Sequence, residues 1–136
     1  MQTRFGTQKI QPVQAPDKLE PEILATHDPF TAGTMVLVSL GNPREKFWGS
    51  VLSLTPAGLS IRGIDLQSFE DSAAMVKAGE PFTPATMFFP MHRIERMELD
   101  ANSGRIPSLC RRFAAQSGRD PVALFSAAAS SPESGL

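Results

Sequence analysis

Thr86-Met87-Phe88-Phe89-Pro90-Met91-His92-Arg93-Ile94-Glu95-Arg96-Met97-Glu98-Leu99-Asp100 is the stretch that decides the fold. An apolar run stops at Pro90 and resumes at Ile94 as a charged, alternating segment. Proline has no N–H to give a sheet ladder, so it belongs at a strand end or an edge. The pattern reads as two strands sharply joined, with Met91-His92-Arg93 at the junction. A rival reading starts a helix at Pro90, with Ile94, Met97 and Ala101 recurring at helical spacing.

Upstream of this stretch, three segments have strand character. Thr34 to Leu40 is rich in β-branched and aliphatic residues and ends at the turn sequence Gly41-Asn42-Pro43. Lys46 to Leu54 alternates, with Phe47, Gly49, Val51 and Ser53 on one side and Trp48, Ser50, Leu52 and Leu54 on the other. Gly49 inside a strand marks a sharp bend or a close backbone approach. Phe47 and Trp48 point opposite ways, so one of them is expected at a surface or a subunit contact. Thr55-Pro56-Ala57-Gly58 is a tight turn leading into a third strand, Leu59 to Asp65.

Between the third and fourth strands, residues 68 to 79 read as a helical insertion. Ser68 and Asp71 have roughly the spacing of a capping box, and Gly79 stands at the stop. Beyond Asp100, Ser108 to Gln116 forms a short amphipathic helix closed by Gly118, and Asp120-Pro121 opens a last apolar segment, Val122 to Ala129. The expected organisation is a tail over 1–20, a barrel domain over 21–104 that begins with a helical turn at Pro21 to Ala25, a helical extension over 105–129, and a disordered tail over 130–136.

The totals narrow the function classes. At 136 residues the chain is one domain's worth, and 13 Lys plus Arg against 14 Asp plus Glu give a net charge of −1. No global field therefore recruits a polyanion, and nucleic-acid binding has to be local. One cysteine, Cys110, excludes an intrachain disulfide and suits a reducing compartment, so the expected location is the cytoplasm. No signal peptide or membrane span is expected.

In order, VLVSL, FWGSVLSL, GLSIRGID, MFFPMH and RIERMEL resemble the five strands of the Sm-like family, including its bacterial RNA-chaperone branch. The resemblance covers roughly residues 34 to 100. It implies a mainly β fold: a small SH3-like or Sm-like five-stranded barrel, here with a helical insertion and short C-terminal helices. It also implies a homo-oligomeric ring in which strand four of one subunit pairs with strand five of the next. Phe88, Phe89, Met91, Ile94 and Met97 are then the candidate interface residues. His92 falls where the bacterial chaperones carry Tyr-Lys-His, and Pro90 and Met91 stand at the tyrosine and lysine places. RNA is the implied ligand, with His92, Arg93 and Arg96 as candidate contacts, while Glu95, Glu98 and Asp100 interleave with them.

No catalytic activity is expected. Arg111 and Arg112 beside Cys110 favour a thiolate only if they approach the sulfur, and nothing in the sequence brings a histidine there. His27 and His92 have no metal-ligand spacing, so no metal, cofactor or small-molecule substrate is implied. Arg105, Arg111, Arg112 and Arg119 form a second basic segment, either an RNA-facing helix or the polar side of a packed one. The alternative reading is a small-barrel module that binds a protein partner through Trp48 or the 68 to 79 helix.

Overall fold

The computed structural model describes residues 28–126, so the expected N-terminal tail, the helical turn over 21–25, His27 and the tail over 130–136 lie outside the described residues. The fold is mainly β, an antiparallel five-stranded open sheet with a few short helices. Its strands are β1 (Met35–Leu40), β2 (Glu45–Thr55), β3 (Gly58–Asp65), β4 (Ala85–Pro90) and β5 (Ile94–Leu99), in the order β4-β3-β2-β1-β5. Helix α1 (Phe69–Lys77) lies between β3 and β4, α2 (Leu109–Ser117) follows β5, and residues 121–126 are helical. The rival helix at Pro90 is reduced to one 3-10 turn, Met91–Arg93, after which the chain enters β5 and pairs with β1. Pairing along the β1 edge outweighs the helical spacing of Ile94, Met97 and Ala101.

Register shows how strongly this sheet curls. Pro90 pairs with Gly58, beside the Thr55 end of β2, whereas Ile94 pairs with Leu40, beside the Glu45 end. On a flat sheet those sites would lie ~19 Å apart across the strands and ~33 Å apart along them. The four residue steps from Pro90 to Ile94 span at most ~14 Å. Only a sharply bent β2 reconciles the two, and β2 carries the means to bend. Its register slips between Val51 and Ser53, and Gly49 faces Gly63 across the ladder at an approach so close that a Cβ on either would strike the other strand's backbone. The close-approach reading of Gly49 is thereby met, with Gly63 as its partner.

Both faces of the sheet are cores. The inner cluster packs Val36, Val38, Leu40, Val51, Leu59, Ile61 and Phe89, with Phe47, Met87, Ile94 and Met97 against it. The outer cluster packs Met35, Trp48, Ile64, Phe69, Ala73, Val76, Phe113 and Phe125. Trp48 is 0% exposed, its ring 5.3 Å from Phe69, 5.5 Å from Phe113 and 5.2 Å from Phe125. The expected competition between Phe47 and Trp48 for one interior does not occur, because the helices supply a second. Leu54 also departs from expectation. The slip at Leu52 reverses the phase of β2 and sets Leu54 opposite Leu59, on the inner side.

The helix boundaries are made by local chemistry. Ser68 makes no side-chain cap. Asp65 instead accepts from the Gln67 N–H at 2.8 Å and starts a 3-10 turn, Leu66–Ser68, that runs into α1. Ser108 Oγ accepts from the Arg111 N–H at 3.1 Å to cap α2, which Gly118 ends at a φ of +80°. Asp120 Oδ1 accepts from the Val122 N–H at 3.0 Å at the head of the last helical segment.

Candidate functional site

The turn between β4 and β5 is the point where the curled sheet is fastened. The Met91 N–H donates to Ala57 O at 2.9 Å, in the β2–β3 turn, and the Gly41 N–H donates to Arg93 O at 2.9 Å, in the β1–β2 turn. Three residues thus hold both ends of β2. Arg93 adds its side chain: Nε donates to Gly41 O at 2.8 Å, and NH2 donates to Pro43 O at 3.1 Å and to Glu45 Oε1 at 3.0 Å. Read from the sequence as a ligand contact, Arg93 has its guanidinium turned onto the β1–β2 turn with its charge paired to Glu45. His92, between two anchored residues, is exposed.

Arg96 lies on the outer face of β5 and its Nε pairs with Glu98 at 2.6 Å. His92, Arg93 and Arg96 therefore do not converge as one cluster of free cations. Of the five candidate interface residues, Phe88 (54% exposed) and Met91 (40%) are open on the surface. Phe89 is buried in the inner core at 7%, and Ile94 and Met97 pack against that core. Alternation decides this division, because Phe89 and Met87 share the inner face while Phe88 stands on the outer one beside Ser60.

The structure adds two features that strand and helix patterns do not announce. Asp100, just after β5, accepts from the Trp48 indole N–H at 3.1 Å, the Leu109 N–H at 2.8 Å and the Cys110 N–H at 2.8 Å. One carboxylate ties β2 to the first turn of α2, where the helix dipole favours an anion. The sequence signal was only an aspartate at the end of a strand eight residues before a helix cap. Burial, with the Asp100 hydrogen bond and charge, pushes the Cys110 thiol far up from its usual value. That environment disfavours the thiolate a nucleophile needs. Of the second basic segment, Arg112 stacks over the Phe69 ring at 5.3 Å and approaches Glu70 at 3.7 Å, serving the packing of α2 on α1.

The second feature is a row of side chains across three strands. Ser39 on β1 faces Lys46 on β2 and Arg96 on β5, so all three share the outer face. With Arg44 and Glu95 they line an open cleft of about 340 Å³. An adjoining cleft of about 420 Å³ shares Arg44 and Lys46 and is completed by Glu45, Asp65, Leu66 and Gln67. Register alone makes this row, since Lys46 and Arg96 are fifty positions apart in the chain. Among the described residues, no group of three or more His, Cys, Asp or Glu is arranged to hold a metal ion, and no helix is long and apolar enough to cross a membrane. No family model, curated protein or solved structure matches the chain.

Proposed function

We propose that the chain is an Sm-like small barrel that assembles into a homo-oligomeric ring, β4 of one copy pairing with β5 of the next, and that the ring binds RNA. One observation carries the reading: the two open edges of the sheet belong to strands joined by a three-residue turn. Each copy thus offers two unpaired rows of backbone N–H and C=O groups, and an exposed edge is a template for another strand. Pairing that is heterologous closes into a ring when the rotation between copies allows it. Phe88 and Met91, exposed on and beside β4, are the apolar side chains such a contact covers.

The test is the mass of the native assembly in solution. A closed oligomer at micromolar concentration, reduced to monomer by Phe88→Glu, supports the ring; a monomer at that concentration sinks it. RNA binding is tested separately by titration with U-rich and A-rich strands at low salt, where released counterions make phosphate contacts strongest. His92, exposed at the turn, would repeat around the ring and is the residue to substitute first.

A specific observation also favours the protein-partner alternative. A groove of about 440 Å³ runs beside α1, lined in part by Phe47, Ile64, Met75, Phe82 and Met87, with Met75 37% exposed. The buried Trp48 takes no part in it. If a Met75→Glu variant loses a protein partner while RNA binding is absent in both forms, the module reading replaces the ring.

A further inference from the structure

We infer that the cross-strand row Lys46–Ser39–Arg96, with Arg44 at its end, is a phosphate-binding track for a single-stranded RNA backbone, separate from the β4–β5 turn. The inference rests on the RNA reading above and assigns its phosphate contacts to residues that reading does not use, apart from Arg96.

The geometry follows from the register. Lys46 and Arg96 flank Ser39 on neighbouring strands, so their backbones stand ~10 Å apart with the hydroxyl between them. Two long cationic side chains rooted at that separation can close on one phosphate from both sides, and the Ser39 hydroxyl supplies a donor from below. The row is also accessible. The helical layer covers Trp48 and Leu37, one row away on the same face, and leaves the next row bare.

Charge favours an anion there. Three cations and one carboxylate line the cleft, and among the described residues Arg44 and Lys46 have no ion-pair partner. Two of the four nearby acids are ion-paired. Glu45 holds Arg93 and Glu98 pairs with Arg96, an exposed pair that phosphate must compete with, while Asp65 accepts from the Gln67 N–H and keeps its charge. Glu95, whose carboxylate lies against Gly41, and Asp65 in the adjoining cleft are the opposing charges. A strand suits the site better than a lone ion because Arg44 and Lys46 line both adjoining clefts and can reach successive phosphates, although Glu45 and Asp65 also line the second cleft.

The experiment titrates the full chain with a short labelled single-stranded RNA between ~50 and ~200 mM salt and follows anisotropy. Three phosphate contacts predict a slope of log affinity on log salt of about −2. Lys46→Glu is expected to weaken binding about tenfold at low salt and to make the slope shallower. Glu95→Gln is expected to tighten it two- to threefold or so, by relieving an opposing charge. Both residues are exposed, and unchanged thermal unfolding of the variants shows that the sheet is intact. RNA bound equally by wild type and by an Arg44→Glu, Lys46→Glu double variant overturns the track but leaves RNA binding through His92. A closed ring that binds no RNA overturns the track and keeps the assembly. Displacement of the strand by equimolar inorganic phosphate also overturns it, in favour of a free-ion site.

Discussion

The two faces of this sheet are filled by different means. The inner core is largely aliphatic and comes from the strands themselves, Val36, Val38, Leu40, Val51, Leu59 and Ile61, enclosed because β2 bends and the β4–β5 turn fastens its ends. The outer core is aromatic and borrowed: Trp48 meets Phe69 from α1, Phe113 from α2 and Phe125 from the segment beyond. A curled sheet shelters its concave side unaided but needs other elements over the convex side. Helices therefore decide which outer residues are core and which, like Ser39, Lys46 and Arg96, are left uncovered.

The largest expected effect is on the borrowed core. Trp48→Ala removes three aromatic contacts and a hydrogen bond at a fully buried position, and should cost about 3–5 kcal/mol in urea unfolding. If helix and sheet unfold in separate transitions in that variant, the outer layer is an independent cover. A single transition shows that the two cores are one cooperative unit.

Asp100→Ala leaves two α2 N–H groups and the indole N–H without their acceptor, and about 2–3 kcal/mol should be lost. Amide exchange at the start of α2 should quicken most. Protection lost equally throughout the sheet would show that Asp100 is no mere link between layers. Gly63→Ala tests the inner core from the backbone side. A Cβ there meets the Trp48 carbonyl, so the strands must part at the bend of β2, at a cost of about 1–3 kcal/mol.

The smallest effect is electrostatic. The folded thiol of Cys110 has its pKa raised, so the unfolded chain releases that proton first, from about pH 8.5 upward. Above that pH the unfolded state binds fewer protons, and stability falls as pH rises. The urea midpoint should decline across alkaline pH in the wild type and decline less in Cys110→Ser. Equal slopes would show that the outer layer admits enough water to solvate the thiolate.

Much of this fold was legible beforehand. The three strands before α1 ran within a residue or so of their expected bounds, because alternation and turn residues such as Gly41-Asn42-Pro43 are local signals. Gly118 and Asp120-Pro121 marked helix ends for the same reason. What was missed depended on distant partners. Leu54 changed face through a slip that no single residue announces, and Trp48 became core only because three helical segments converge on it. Arg93 lay in a charged stretch that reads equally well as a ligand contact or a staple.

The sequence by itself determined the bounds of the first three strands and the end of α2 at Gly118, and that a proline closes β4, because backbone propensity and side-chain period are properties of neighbouring residues. Only the tertiary structure decided that Met91 and Arg93 grip opposite ends of β2, that Arg93 spends its guanidinium on that grip, and that Lys46, Ser39 and Arg96 stand in one row. Those relations are matters of register and curvature. They join residues dozens of positions apart, and no local preference along the chain encodes them.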